Sequence, residues 1–353
     1  MSIDLARELV TSYGWNATSC QILNPGIEHW FSSTAPAVVG YTQRGKTPNV
    51  AGAPVCARQD LADACADFEL YASRRDKRVC YVCAEGRMHD LLVGSRNHSI
   101  IVMGAQPVWD PSSWAELVKG HASLRAQLHR SRNKGVVVQS ISPKSAAEQG
   151  ELRSVLQAWL ESRRLPPLHF LVEPEILGSM VADRRVFVAR RSANPVAFLV
   201  ASPVTAKNGY LVELLARSPD APNGVSELLI DAAMRQFAGD RCSYVTLGLV
   251  ALASAVQPEM RSNPMWLRGM TKFARAHANR FYNFRGLEQF RVKMNPHQWE
   301  PIYAISNEKH FSLRTLYDIG GAFAGLSPWR AIGLGLAKAI REEFSAKSKR
   351  QIA

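Results

Sequence analysis

The order of helical and extended patterns in the second half of the chain constrains its fold most. A run with helical spacing of its apolar residues covers 145–165 and is stopped by Pro166 and Pro167. Three strand-like runs follow, separated by short polar turns: 186–191, 195–204 and 210–217. The pattern continues as helix, strand and helix, and it closes on two strand-like runs, 289–294 and 299–305. Such an order predicts a mixed sheet covered by helices.

Residues 36–104 carry a looser version of the same order. Two runs rich in β-branched and aromatic residues, AVVGYTQ and VCYVC, predict strands, and residues 58–75 between them have helical spacing. Helix, three-strand meander, helix, strand, helix and strand is the layout of an N-acetyltransferase-like fold. The sequence therefore predicts the α/β (α+β) class, with two tandem N-acetyltransferase-like units whose mixed central sheets are flanked by helices. We place the first unit at 1–145 and the second, catalytic unit, with a basic C-terminal helix, at 146–353.

Positive charge is concentrated toward the C-terminus. The 353 residues carry a net charge of +13, and residues 261–353 hold 16 Lys and Arg against 6 Asp and Glu. This asymmetry indicates a polyanionic partner, either nucleic acid or an anionic membrane surface, with a merely solvated basic tail as the alternative. The opening residues lack the apolar run of a signal peptide, and the longest apolar stretch, 244–256, is too short to span a bilayer. We expect a cytoplasmic protein, peripheral at the inner face of the membrane.

The cysteines and histidines do not indicate a metal site. Cys80 and Cys83 form a C-x-x-C, but they lie in a strand-like run. An odd separation on a regular strand directs two side chains to opposite faces, which disfavours joint binding of zinc. None of the nine histidines has ligand spacing. We expect structural thiols and no metal.

Five stretches carry a resemblance to a known family. They are LRAQLHRSRNKG (124–135), ELRSVLQAWL (151–160), ELLARSPDAPNGVSELLIDAAM (213–234), YVTLGLVALA (244–253) and FYNFRGLEQFRVKMNPHQWEPIYAI (281–305). In this order and spacing the chain resembles the catalytic C-terminal domain of aminoacyl-phosphatidylglycerol synthases, the phosphatidylglycerol lysyltransferase family. The resemblance implies a tandem of N-acetyltransferase-like units and aminoacyl-tRNA as the donor. Two departures are the absence of the membrane domain that usually precedes this one, and Leu214, where many relatives have Asp.

The resemblance implies an aminoacyltransferase that moves an amino acid from aminoacyl-tRNA to a hydroxyl acceptor, phosphatidylglycerol or a related anionic lipid. Because the membrane domain is missing, a soluble small-molecule hydroxyl in a biosynthetic pathway is an alternative acceptor. A non-catalytic module that binds tRNA or membrane is a second alternative. The three hypotheses differ in whether, and onto what, the amino acid is moved.

The turn RSPDAPNGV (217–225) follows the strand after which acetyltransferases hold the pyrophosphate of coenzyme A on backbone N–H groups. Its two prolines remove two of those donors and Asp220 adds negative charge, so the sequence disfavours coenzyme A, and we predict no cofactor. The resemblance implies that Arg217, Asn223 and Gly224 bind substrate. Ordinary turn chemistry is the alternative explanation of Asn223 and Gly224.

Glu213 and Lys293 are the candidate catalytic residues. Transfer of an aminoacyl ester needs a group that receives the proton of the acceptor and donors for the developing oxyanion. We assign Glu213 to that proton or to the ammonium of the aminoacyl group, and Lys293 to a phosphate or the oxyanion. Arg291 and Lys293, two apart on a predicted strand, would share a face that needs an anion. An ion pair between Glu213 and Lys293 on adjacent strands is the structural alternative.

A predicted helix at 264–283 carries the candidate tRNA-binding residues. The helical stripe and the cation that follows it are Arg268, Lys272, Arg275 and Arg280. With the neighbouring aromatic rings they suit the phosphates and unpaired bases of a tRNA acceptor end, although a basic stripe is also typical of a solvated face. The remaining candidate substrate-binding residues are Arg285, Arg291, Glu300 and Tyr303. Tyr303 also fits a packing role, because it shares a face of an extended segment with Trp299.

The C-terminal segment is the candidate membrane contact. Between 328 and 350, apolar residues recur at helical spacing from Trp329 to Phe344, with cations on the flank and in the following tail. This pattern predicts an interfacial amphipathic helix that docks on anionic lipid. A terminal helix packed on its own domain is the alternative.

We predict that changing Arg268, Lys272 and Arg275 together to Gln weakens tRNA binding. Because three phosphate contacts are lost, the slope of log affinity against log salt should become shallower by roughly 2–3 units. Filter binding over a salt series measures the slope. A slope equal to that of the unmodified protein would remove this helix from the tRNA site.

Overall fold

The computed structural model describes residues 2–163, 170–171, 176–178, 183–277 and 284–325. The strands are β1 (Glu28–Phe31), β2 (Val38–Arg44), β3 (Thr47–Ala51), β4 (Cys80–Ala84), β5 (Ser99–Trp109), β6 (Val136–Ile141), β7 (Arg185–Arg191), β8 (Asn194–Val204), β9 (Gly209–Arg217), β10 (Tyr244–Thr246), β11 (Val250–Ala251) and β12 (Gln298–Ser306). The helices are α1 (Ser2–Tyr13), α2 (Leu61–Ser73), α3 (Gly86–Leu92), α4 (Trp114–Gly120), α5 (Ala122–Asn133), α6 (Pro143–Glu148), α7 (Gly150–Glu161), α8 (Val225–Gly239), α9 (Gln257–Met260), α10 (Met265–His277), α11 (Phe284–Lys293) and α12 (Leu313–Ala324).

The strands form one mixed sheet in the order β1-β2-β3-β4-β12-β5-β10-β9-β8-β7-β6, with β11 beside β5. Each half of the chain builds the same unit. An antiparallel meander (β1–β3 or β7–β9) is followed by a helix (α2 or α8) and then by a strand parallel to the last meander strand (β4 or β10). This repetition, with helices on the sheet, confirms the predicted fold class.

The last strand of each unit lies inside the other unit. By the order of the repeat, β5 would close the first unit beside β4, and β12 would close the second beside β10. Instead β12 pairs with β4, β5 pairs with β10, and β5 and β12 pair with each other from Gln298 opposite Val108 to Ser306 opposite Ser99. The exchange joins the two halves through a long antiparallel ladder. The boundary near residue 145 stays a prediction, and β6, just before it, pairs with β7.

The second half of the sheet is packed on both faces. Along β7, Phe187 and Ala189 face a buried apolar cluster with α5 and α8, which we call the α8 cluster. Val186 and Val188 face a second cluster with α7, the α7 cluster. This alternation is the two-residue period of a strand buried on both sides. Side chains from β8 and β9 can therefore be assigned to a face by the cluster that they join.

The predicted strand at 289–294 is wrong, because these residues belong to α11 and to the turn after it. Phe290 and Met294 are four apart and both pack in the α8 cluster, so helical spacing decides this segment. Trp109 Nε1 donates to the carbonyl oxygen of Met294 at 2.9 Å and fixes the end of the helix. Arg291 and Lys293 consequently do not share a strand face, since residues two apart on a helix point in different directions.

The predicted opposite orientation of the two C-x-x-C cysteines is also wrong. Cys83 has a positive φ of 62°, and the register with β12 passes from Val82 to Ala84 without it. This bulge turns Cys83 toward the same buried cluster as Cys80. Burial raises the pKa of the Cys83 thiol to about 12, so it stays protonated and inert at neutral pH.

Among the described residues, no helix combines the length and apolarity needed to cross a bilayer.

Candidate active site

The sheet divides between β9 and β10. These parallel strands pair only from Gly209 opposite Tyr244 to Leu211 opposite Thr246. Beyond that point β9 stays paired with β8 alone. The segment that follows β10 bends at Gly248, with φ of 71°, and pairs with β5 as β11. The separation leaves one edge of β9, from 212 to 217, without a strand partner among the described residues. We call this gap the β9–β10 opening, because its backbone groups need partners that a ligand can supply.

The equivalent gap of the first half, between β3 and β4, is filled by its own chain. Gly52 N still donates to Val82 O at 2.7 Å, one step beyond the paired residues. Asn16 Nδ2 donates to Cys83 O at 3.2 Å and to Thr18 Oγ1 at 2.8 Å. A Cβ added to Gly52 would come within 2.4 Å of Thr18 Oγ1, so the segment 16–18 leaves no space there. At the β9–β10 opening, by contrast, a Cβ added to Gly248 would meet only the side chain of Leu211, at 3.3 Å, among the described residues.

On one face of the opening, Glu213 is held by a buried arginine. Arg184 Nε donates to Glu213 Oε2 at 3.0 Å and Arg184 Nη2 to Oε1 at 3.1 Å, and the two side chains are 0% and 1% exposed. Asn24 Nδ2 donates to Oε1 at 3.3 Å, and Ser202 Oγ donates to Oε2. Each carboxylate oxygen thus accepts two hydrogen bonds. A bidentate, fully bonded pair of this kind is rigid.

Arg184 also lines a cavity of about 610 Å³. The cavity lies between the first helix and the ends of β6 to β9, and its polar lining includes Asp183, Thr205 and Tyr210. Cys20 contributes a thiol, whose pKa is raised to about 12 chiefly by burial, so it does not supply a thiolate at neutral pH. The cavity is large enough to take an organic headgroup or an amino acid beside the Glu213–Arg184 pair.

On the other face of the opening, α11 contributes Lys293. Its Nζ donates to Glu227 Oε1 at 2.6 Å, and the side chain keeps 30% of its surface exposed. Glu227 lies in the first turn of α8, where the helix dipole stabilises a carboxylate. Arg291 Nη2 donates to the carbonyl oxygen of Leu247 at 3.0 Å, which holds the other rim of the opening. Glu227 was not predicted, although an acidic residue three positions after a helix-starting glycine is a recognisable signal.

Glu213 and Lys293 do not pair, so the ion pair between them that the sequence left as an alternative is wrong. Ser202, which bonds Glu213, lies two residues from Val200, and Val200 packs in the α7 cluster. Lys293 bonds Glu227 at the start of α8, on the side of the α8 cluster. The two candidate catalytic residues therefore lie on opposite faces of the sheet, each with its own partner, on either side of the opening.

The turn at 217–225 is determined by packing at Gly224. This residue has φ of 91°, and a Cβ added to it would lie 2.2 Å from the carbonyl oxygen of Gln127 in α5. The α5 backbone thus packs directly against this turn. Arg217 and Asn223 are exposed beside it. Gly224 is required by conformation and close approach, as the alternative explanation proposed.

Glu300 and Tyr303 lie on β12, away from Glu213. Glu300 Oε2 accepts from Gln106 Nε2 at 3.0 Å, and Lys207 Nζ bonds Glu85 Oε2 at 2.7 Å and Glu300 Oε2 at 3.4 Å. This polar network lies where the strands of the two halves meet. Tyr303 packs in the core of the first unit, and its ring stacks on His89 with centroids 4.5 Å apart.

The predicted tRNA-binding helix is present as α10. Leu267 is buried and Trp266 half-buried against the core, whereas Arg268 and Lys272 are exposed. No carboxylate among the described residues pairs with either cation. The side chains of Arg275 and Arg285, Arg280 itself and the candidate membrane contact at 328–350 lie outside the described residues.

The described residues thus combine a tandem N-acetyltransferase-like fold with an opening between two parallel strands, β9 and β10. The family model described as phosphatidylglycerol lysyltransferase, C-terminal, matches residues 7–306. The chain therefore belongs to the phosphatidylglycerol lysyltransferase C-terminal family, and the predicted resemblance is confirmed.

Individual relatives are distant in sequence. The phosphatidylglycerol lysyltransferase of Staphylococcus aureus (strain COL) is 21% identical over 305 residues, which are 86% of this chain and 35% of that protein. The chain thus spans about a third of the length of the curated relatives it matches. A domain assigned to a lysylphosphatidylglycerol synthetase of Agrobacterium fabrum has a TM-score of 0.73 at 20% identity, covering 92% of this chain and 97% of that one. The L-PGS structure from Bacillus licheniformis has a TM-score of 0.72 at 18% identity, covering 89% and 92%.

We predict that Glu213→Gln lowers the free energy of unfolding by about 3–5 kcal/mol, because the buried guanidinium of Arg184 loses the negative charge of Glu213. Glu213→Leu and Arg184→Met, made together, should cost less than the sum of the same two changes made singly. Urea unfolding of the four proteins gives the coupling energy. Additive single costs would show that the pair does not act as a unit.

Proposed function

We propose that this chain is the catalytic part of an aminoacyltransferase that moves an amino acid from aminoacyl-tRNA to a hydroxyl of phosphatidylglycerol or a related anionic lipid. Family membership supports transfer of an aminoacyl group to lipid. The observation that carries the proposal is the β9–β10 opening, which has a charged pair on each face, Glu213 with Arg184 and Lys293 with Glu227. Two substrates can approach such a gap from opposite faces of the sheet and meet within it.

The reaction is an exchange of esters. The hydroxyl oxygen of the acceptor bonds to the carbonyl carbon of the aminoacyl group, and the bond from that carbon to the ribose oxygen of the tRNA breaks. The proton of the acceptor hydroxyl ends on the released ribose oxygen. Because one ester replaces another, catalysis depends on positioning the two substrates and on stabilising the oxyanion that forms between the two steps.

Lys293 is the residue that we assign to the developing negative charge. One N–H of its ammonium is directed at Glu227, so two donors remain for the oxyanion or for a lipid phosphate. The partial exposure of Lys293 leaves these donors accessible from the opening. Glu227 keeps the ammonium in place, because both side chains extend from helices whose ends are fixed by packing.

Glu213 is better placed to organise the site than to take the proton. Both of its oxygens already accept two hydrogen bonds each, so a substrate proton or ammonium would have to displace Arg184, Asn24 or Ser202. We propose that Glu213 fixes Arg184 in the wall of the cavity, so that the buried pair gives this wall a rigid shape for the bound headgroup. This role replaces the direct one expected from the sequence.

We assign aminoacyl-tRNA as the donor from the exposed cations of α10 and from the turn that precedes α8. The exposed cations of α10 suit a polynucleotide. The turn at 217–225 packs its glycine on α5, and its two prolines lack the backbone donors that a coenzyme A loop needs. A tRNA ester needs no such loop, because its phosphates can be bound on the surface at a distance from the reacting carbonyl.

The direct experiment incubates the protein with a pool of aminoacylated tRNAs and a total lipid extract that includes phosphatidylglycerol. Mass spectrometry of the lipids and of the aqueous fraction should show an aminoacyl lipid. An aminoacylated solute without a modified lipid would establish the soluble acceptor instead. If the charged tRNAs remain intact in the presence of both fractions, the chain is not an aminoacyltransferase.

We predict that Lys293→Ala lowers the turnover number by about 10²–10³, because a donor to the developing oxyanion is removed. Glu227→Gln should have a smaller effect, because it loosens the ammonium without removing it. Turnover on saturating substrates and thermal unfolding are measured together. A Lys293→Ala protein that unfolds at a much lower temperature but retains its turnover would show that the residue is structural.

A further inference from the structure

We infer that α5 and α8 form a second phosphate-binding surface, separate from α10, which holds the backbone of the tRNA through Arg132 and Arg235. The inference rests on the proposed function for the identity of the polyanion. Its structural basis is one buried carboxylate that holds two arginines. Asp231 Oδ2 accepts from Arg132 Nη2 at 2.9 Å, and Asp231 Oδ1 accepts from Arg235 Nε at 3.0 Å.

The cluster of Asp231, Arg132 and Arg235 has a net positive charge, and its two arginine side chains reach the surface. The Asp231 side chain is 2% exposed, whereas those of Arg132 and Arg235 are 47% and 50% exposed. One carboxylate neutralises one of the two guanidinium groups, so a full positive charge remains at the surface. Trp114 Nε1 donates to Asp231 Oδ1 at 3.0 Å and fixes the carboxylate from below. The two arginines are thus held in place before a phosphate arrives, which lowers the entropic cost of binding it.

The surroundings extend the positive surface. Residues 117–147 contain no Asp or Glu. Arg130 is exposed in the last turn of α5, and Lys134 is exposed directly after the helix. Arg191 is exposed at the end of β7, in register with Val136, directly after the end of α5. The fold therefore gathers cations from α5, α8 and β7, which are separated in sequence, on one side of the second unit.

The chemistry favours RNA over a membrane. Neither α5 nor α8 exposes a large apolar side chain, so this surface has nothing to insert between lipids. Planar guanidinium forks, spaced by a shared carboxylate, suit successive phosphates of a polynucleotide. A purely structural role for the Asp231 group is the competing explanation, and it predicts a change in stability without a change in the salt dependence of binding.

The test measures binding of uncharged bulk tRNA by Arg132→Gln with Arg235→Gln over a salt series. We expect weaker binding and a slope of log affinity against log salt that is shallower by roughly 1.4–1.8, as for two lost phosphate contacts. The matched control is Arg74→Gln with Arg96→Gln, which removes two exposed arginines from the first unit. The control should keep the slope. Equal slopes in the double variant and the unmodified protein would overturn the inference.

Two further measurements separate the remaining outcomes. Asp231→Asn makes the protein more positive by one charge, so net charge alone predicts tighter tRNA binding. If Asp231 instead holds the two arginines in place, the variant should bind tRNA more weakly. Tighter or unchanged binding would overturn the anchoring role. Loss of binding to phosphatidylglycerol vesicles by the arginine variant, with tRNA binding intact, would assign the surface to the membrane and overturn the inference. Aminoacyl transfer is assayed separately. A slope change without any transfer by the unmodified protein contradicts the proposed function alone, and transfer with equal slopes contradicts this inference alone.

Discussion

The ladder between β5 and β12 is the interaction on which the rest of the structure depends. Each strand is the last of its own unit and lies inside the other, so neither unit can complete its sheet alone. The ladder places β10 beside β5, and β11 remains with β5 where β9 leaves. Because β10 and β11 stay paired with β5, β9 can separate from β10 while the rest of the sheet stays intact. The β9–β10 opening is thus a consequence of the strand exchange.

Buried charge then defines what the opening can bind. Glu213 and Arg184 are fully buried and neutralise each other on one face, while Lys293 remains partly exposed beside Glu227 on the other. The first unit contains the same pair of parallel strands, but its gap is filled by residues 16–18, and Asn16 bonds the carbonyl oxygen of Cys83 there. In the first unit the gap is filled by the protein's own residues, whereas the second unit has the β9–β10 opening. This division explains how two similar units give a single candidate site.

The sequence predicted what local periodicity determines. The order of helices and strands and the turn at Gly224 follow from spacing and turn chemistry within a few residues. The exchange of β5 and β12 could not be predicted, because both strands are apolar and either neighbour would satisfy their hydrogen bonds. Arg184 was missed as the partner of Glu213, since nothing within a turn or strand relates positions 29 residues apart. The segment 289–294 was assigned as a strand because its alternating residues hid the four-residue spacing of Phe290 and Met294.

The measurement that tests the central claim most directly is hydrogen exchange with both substrates bound. The claim is that aminoacyl-tRNA and lipid meet in the β9–β10 opening and leave the filled gap of the first unit untouched. A non-hydrolysable aminoacyl-tRNA analogue with phosphatidylglycerol vesicles should slow amide exchange at 212–217 and 247–249, because substrates cover an edge for which the described part of the chain provides no strand partner. Segments 52–55 and 83–85 should exchange at an unchanged rate. Protection confined to the first unit, or its absence from the β9–β10 opening under conditions of full binding, would contradict the account.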